Sequence, residues 1–290
     1  MRVFGCVILL LIMLTAPVSA QLTPDQEALM ESVRLAYSTS ADWQSYQLAQ
    51  QITTNGALTV YGTDVLIWQT SNTQTDIAAE IDLANEMAQG EIFQTGNRAS
   101  ADEVAAPQDQ RIAFAAIDGL VFIDAQDGEG LTEVTDTLID YSAYGLPAVV
   151  TFGKPPTIND WLDNTLAVYD LGVVDGVQGY QMEFALTDSL PYIDFNLDAF
   201  LNEYNGLVEL GALGEAISEV GSVTLVINVD VESNQILNTS ELIQIAVEIS
   251  GEDVVSVPAG DGVFQLDYAH QIDTQYSALG IEFEVEMPGF

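Results

Sequence analysis

Strict alternation of apolar and polar residues is the feature that most narrows what this chain can fold into. From Leu166 to Leu186 the sequence reads as two strands joined at Asp175-Gly176. In the second strand Tyr180, Met182, Phe184 and Leu186 share one face, and Gln181, Glu183 and Ala185 the other. A period of two marks a strand with one buried and one solvated face. The same rule returns in Val223, Leu225, Ile227, Val229 and Val231, and again in Ile243, Ile245, Val247 and Ile249. It returns once more in Ile281, Phe283, Val285 and Met287, set against Glu282, Glu284 and Glu286. Meander strands with one apolar face each imply an antiparallel sheet whose apolar side must be covered.

Helical stretches that would supply the cover are few. Thr23-Pro24-Asp25-Gln26 opens one, with Thr23 as N-cap, Pro24 at the first position and Gln26 as capping-box partner. Leu29, Val33 and Tyr37 then share a helical face, and an end is expected near Ser38 to Ser40. Asp198 to Glu219 reads as one helix or two short ones, interrupted by Gly206, Gly211 and Gly214. Thr157 caps a short helix carrying Ile158, Trp161, Leu162 and Leu166, and Val134 to Val150 fits helix or loop. Between these lie expected strands at Ser45–Thr54, Val65–Thr75, Ile77–Leu83 and Glu91–Gly96. Asn55-Gly56 reads as a hairpin turn, and Ile112 to Ile123 as a hairpin about Asp118-Gly119. Asn97 to Gln110 reads as a polar loop, and 124–130 as a tight turn. No solenoid-type repeat is visible.

Residues 1–20 have the make-up of a secretory signal peptide: Arg2, an apolar run from Val3 to Thr15, and Val18-Ser19-Ala20 before Gln21. The run is short for an uncleaved membrane anchor, which needs about 20 apolar residues. The expected product is a single exported domain spanning 21–290, secreted or periplasmic. The one cysteine, Cys6, falls inside that leader, so neither a disulfide, a thiol nucleophile nor a lipid-anchored cysteine is expected. Forty-four acids face five Lys and Arg, for a net charge of −39. Charged residues nevertheless make up only 17% of the chain, below the usual figure of about 25%. What is missing is cations, and Gln, Asn, Ser and Thr stand in their place. Such a field repels nucleic acid and anionic lipid headgroups. It suits adaptation to the medium, or a cation-binding surface.

Catalytic constellations are hard to assemble from these residues. His270 is the sole histidine, which leaves no set of His and Cys ligands for zinc and only one base for a Ser-His-Asp triad. No G-x-S-x-G elbow occurs, and the lone lysine, Lys154, stands in GKPP rather than in a phosphate-binding loop. Asp124, Asp127 and Glu129 fail the EF-hand spacing, because Gln126 and Glu129 fall where an acid and a glycine belong. Asn238-Thr239-Ser240 matches a glycosylation triplet too common to carry weight. We therefore expect no catalytic residues, metal or cofactor. A secreted acidic hydrolase is the remaining enzyme reading.

Two stretches, VVDGVQGYQMEFAL (173–186) and SVTLVINVDVESNQILNTSELIQIAVEI (222–249), together with the leading helix and the helical insert between them, resemble the LolA/LppX-like family of bacterial envelope lipid and lipoprotein carriers. The resemblance is one of layout and covers most of residues 21–290. It implies an α+β fold, a strongly curved antiparallel sheet or incomplete β-barrel with a few helices on its concave face. It further implies a cavity for a lipid or other apolar small molecule, lined by Trp68, Ile81, Phe93, Phe122, Tyr180, Met182, Phe184, Leu225 and Ile227. The alternative fate of these nine is ordinary core, in an envelope interaction or sensor module of the same fold with a self-filled interior. Many exported members of that family are Cys-anchored, which this chain is not.

Overall fold

A computed structural model describes residues 22–40, 42–62, 65–100, 108–124, 132–137, 146, 165–186, 197–257, 260–277 and 280. Helix α1 (Pro24–Ser40) is followed by strands β1 (Ser45–Gly62), β2 (Val65–Asp82), β3 (Met87–Ser100), β4 (Gln108–Ile117), β5 (Leu120–Asp124) and β6 (Thr132–Glu133). Then come β7 (Thr165–Val174), β8 (Val177–Ala185), α2 (Leu197–Asn202), α3 (Leu210–Val220), β9 (Ser222–Asp230), β10 (Ile236–Ser250) and β11 (Val263–Ser277). All eleven strands form one antiparallel sheet in the order β6-β5-β4-β3-β2-β1-β11-β10-β9-β8-β7. Two meanders are thus stitched together where β1 pairs with β11. Among the described residues β6 and β7 do not pair, so the sheet is open.

Local signals account for much of this. Thr23 and Gln26 cap α1 reciprocally: the Thr23 N–H donates to Gln26 Oε1 at 3.0 Å, and the Gln26 N–H to Thr23 Oγ1 at 3.3 Å. Met30, Val33, Ala36 and Tyr37 form its buried stripe. At its end the buried Ser40 hydroxyl accepts from the Ile236 N–H at 3.0 Å, tying the helix to the start of β10. The Asp118-Gly119 and Asp175-Gly176 turns hold both central residues at positive φ, 51° and 79°, then 51° and 81°. That is the geometry which matches the twist of flanking strands in a two-residue hairpin. The helical insert is two short helices, α2 and α3.

Several expected boundaries move. Asn55-Gly56 is not a turn: β1 runs straight through it, with Asn55 opposite Asn72 on β2 and Ala269 on β11. Ser71 Oγ lies 2.9 Å from where a Cβ on Gly56 would stand, so glycine serves close approach of a neighbouring side chain here rather than chain reversal. Val65–Thr75 and Ile77–Leu83 join into one strand, β2, which ends at Asp82. Of the loop expected over 97–110, the described residues are strand, because β3 continues to Ser100 and β4 begins at Gln108. Leu166 lies on β7 and is exposed, and Val231 is exposed just past the end of β9. The largest omission is β11, a central strand that the expectations above lack. The helix expected from Thr157, the turn beyond Asp124, most of 134–150 and the strand from Ile281 to Met287 lie outside the described residues.

Packing between strands is close enough to give a sharp test. A Cβ on Gly90 would stand 2.2 Å from the Ala78 carbonyl oxygen and 2.9 Å from both Ala79 Cα and Phe114 Cζ. Gly90→Ala is therefore expected to lose about 1–3 kcal/mol of unfolding free energy, because backbone must shift. Gly211→Ala, on α3 with nothing within 4 Å, should lose nothing and gain up to about 1 kcal/mol. Urea unfolding of the two variants side by side checks this.

Candidate functional site

The sheet has a covered face and an outer face, and register assigns each residue to one of them. Ile81, Met182, Phe184, Leu225 and Ile227 point into the covered face and are at most 3% exposed. Tyr180 lies on the same face, half-buried, opposite Ile227. Trp68, Phe93 and Phe122 are a correction: they point the other way. Their neighbours Ile67, Ile92, Val121 and Ile123 hold the inward positions, opposite Val60, Ile112, Ala116 and Phe114 respectively. Phe93 is 42% exposed beside a fully buried Ile92. Where apolar residues stand side by side, alternation alone leaves the phase of a strand open, and only pairing with the next strand decides it.

Across the middle of the covered face runs a polar belt between two aromatic clusters. Following β1 against β11, Leu48 stands opposite Tyr276, then Gln50 opposite Thr274, Ile52 opposite Ile272, Thr54 opposite His270, Gly56 opposite Tyr268 and Leu58 opposite Leu266. Gln50 Nε2 donates to Thr274 Oγ1 at 3.0 Å, and the Thr54 hydroxyl meets His270 Nδ1 at 2.8 Å. At one end Trp43, Tyr46 and Tyr276 pack with ring centroids 5.2–5.8 Å apart. At the other, Phe200 from α2 packs edge-on against Tyr268 at 4.8 Å, and Tyr204 against Phe264 at 5.8 Å. Both clusters join strand to neighbouring chain, so the belt lies between two plugged ends.

The belt is only partly enclosed. Glu241 stands on β10 between Leu225 of β9 and Ile272 of β11. Its Oε2 is buried and has no hydrogen-bond partner. Burial raises this carboxyl to about 8. Burial also lifts the Tyr276 phenol far above its ordinary range; nearby Tyr46 and Glu241 add to this, and a hydrogen bond from Thr239 opposes it. Tyr268 is pushed up to about 12 by burial and then by Glu203, while burial holds His270 below the usual imidazole value. By surface area, however, Glu241, Tyr268, His270, Ile272, Tyr276 and Ile52 are all only half-buried. These inward residues are thus less enclosed than Ile243, Ile245, Phe264 and Leu266 of β10 and β11. The indole N–H of Trp43 is likewise buried without a partner.

The outer face is chemically different. Glutamine amides hold carboxylates where cations would ordinarily stand: Gln47 and Gln89 both donate to Glu80, at 3.0 and 2.8 Å. Gln51 donates to Asp76 and Gln265 to Glu248, at 2.8 and 2.7 Å. A groove of about 660 Å³ crosses this face over Ala49, Ala78 and Ala113. Its floor is made of small side chains, with Gln47, Glu80, Gln89 and Glu91 among its lining. Arg34–Glu31 and Arg111–Glu91 are exposed ion pairs of the kind that adds little stability. Among the described residues no group of three or more His, Cys, Asp and Glu is brought together to hold a metal. Nor is any described helix long and apolar enough to cross a membrane.

The belt was readable in part. Phe264, Leu266, Tyr268, Ile272 and Tyr276 alternate with Gln265, Asp267, Gln271, Asp273 and Gln275, a strand signal obscured by His270 and by the acids flanking it. Glu241 sits in phase with Ile243, Ile245 and Val247, and that parity alone marks it as an inward carboxylate.

No protein-family model matches the chain, and no curated protein matches it. Among solved structures, a DUF1329 family protein from Desulfovibrio piger aligns over 90% of this chain and 96% of its own, at 10% identity and a TM-score of 0.25. A lipovitellin structure concerned with lipid–protein interactions aligns over 84% of this chain and 26% of its own, at 10% identity and a TM-score of 0.32. A β-barrel-like protein of the DUF1849 group from Brucella abortus aligns over 80% of this chain and all of its own, at 7% identity and a TM-score of 0.18. Similarity at this level assigns neither family nor function.

Proposed function

We propose that this chain is an exported, non-catalytic binding protein that holds a lipid or other apolar molecule between its sheet and its helices. On this reading residues 1–20 are cleaved, and 21–290 form one domain whose sheet curves strongly, as an incomplete β-barrel, around the bound molecule. The layout is that of the LolA/LppX-like carriers it resembles. The observation that carries it is the combination at the belt: Ile52, Tyr268, Ile272 and Tyr276 stand on the inward face of the sheet and keep part of their surface free. Binding sites for small apolar molecules are concavities with apolar walls and a few placed polar groups. Burial of an acyl chain there would contribute about 0.8 kcal/mol per methylene.

A second reading is favoured by another observation. Leu171, Val173 and Val174 on the outermost strand β7 are at least half exposed, as in a module that docks a protein partner through its edge and fills its own core. One experiment separates the two. The chain from Gln21 is purified from a bacterial host, extracted with organic solvent and analysed by mass spectrometry beside a native mass spectrum. Stoichiometric co-purified lipid is the expected result. An apo mass that takes up no added lipid overturns the carrier reading and leaves the docking module.

A further inference from the structure

We propose that Glu241 receives the polar head of the bound molecule, and that this head is a cationic amine on an apolar chain. Glu241 takes this role only if the protein holds an apolar ligand at all. Its surroundings argue for the chemistry. Along β10 it is flanked on the covered face by Thr239 and Ile243, and across the sheet by Leu225 and Ile272. One carboxylate oxygen is buried with nothing to bond to, a state that costs free energy until a donor arrives. Among the described residues no arginine serves: Arg34, Arg98 and Arg111 are exposed, and two of them pair with surface glutamates. Of the hydroxyls that stand near, Thr239 donates to Tyr276, and neither bonds to Glu241 Oε2. A buried carboxyl with no described arginine beside it is complementary to a ligand cation with a desolvated tail. A fatty acid or phosphate head would instead bring a negative charge with no cation to meet it, and could be held only while Glu241 stays protonated. The net charge of −39 adds to this by drawing cations and repelling anions during encounter. Ile52, Ile272 and Tyr268 would border the tail.

The test is a matched panel of dodecylamine, dodecanol and dodecanoic acid, titrated into the chain from Gln21 and into Glu241→Gln. Measurements are made in high salt, so that the exposed field is screened and the interior contact is not. The expected result is that the amine binds wild type roughly tenfold or more tighter than the alcohol and the acid, and that the glutamine variant loses this preference while still binding the alcohol. Difference infrared spectra of the wild type, which need no variant, should show a protonated carboxyl signal replaced by carboxylate when the amine binds, and no such change with the alcohol. Equal affinity for the alcohol and the amine, a preference for the acid, or an amine preference retained in Glu241→Gln each overturns the proposal while leaving the binding reading intact. Binding of none of the three overturns both.

Discussion

Glu241→Gln is expected to remove most of a decline in stability that the wild-type chain shows between about pH 5 and pH 8. The carboxyl has its ordinary value of 4.5 when solvated and rises to about 8 in the fold. Between those values the folded chain holds a proton that the unfolded chain has released. Stability therefore falls by roughly 1.4 kcal/mol for each unit of rising pH in that window. The contribution is fully present below the unfolded value, drains away as pH rises toward 8, and is level beyond it. This is opposite in sign to the usual salt-bridged carboxylate, which loses stability as pH falls. The other acids repel one another more as they ionise, which acts in the same direction. That background is common to wild type and variant, so the difference between two urea-unfolding series across pH isolates Glu241. Parallel curves would mean that the carboxyl is solvated in the fold, and would remove the basis for its ligand role.

Phe264→Ala is expected to cost about 3–5 kcal/mol, and Phe93→Ala less than about 1 kcal/mol. Phe264 has no exposed surface. It lies opposite Val60 on β1 and Ile249 on β10, with the Tyr204 ring edge-on to it. Truncation there opens a cavity in the strand that joins the two meanders. Phe93 belongs to a strand of equal regularity, but it faces outward and keeps 42% of its surface in solvent. Urea midpoints for the two variants decide the matter. A large loss at Phe93 with little at Phe264 would place both strands in the opposite phase.

Legibility in the sequence varied by residue for physical reasons. The capped start of α1 and the Asp-Gly turns rest on interactions within a few residues, so Thr23, Gln26, Asp118 and Asp175 stand where reading them alone would put them. The inward positions of β8, β9 and the second half of β10 were equally plain, because each has one apolar parity and one polar parity. At Trp68, Phe93 and Phe122 both parities carry an apolar residue next door, and the phase was undetermined until the paired strand was known. At Asn55-Gly56 a strong local turn signal lost to hydrogen bonding on both sides of β1, since a strand paired on both edges gains more from continuing than from reversing. For the belt, the sequence offered the parity of Glu241 and the alternation of β11, but neither indicated depth.

By itself, then, the sequence determined that the chain is built of antiparallel strands with few helices, where two of the hairpins turn, how the first helix begins, and that its surface carries few cations. These are consequences of torsional preference, side-chain parity and composition, all of which act locally or in bulk. Only the tertiary structure decided that the first and last described strands lie side by side at the centre of the sheet, and which face three large aromatic residues take. It alone brought Glu241, His270, Tyr268 and Tyr276, from two strands, into one water-poor space. The first outcome depends on β1 pairing with β11 more than two hundred residues along the chain, and the last on the register of β10 against β11, which sets Glu241 opposite Ile272; neither contact leaves a mark in any local window of the sequence.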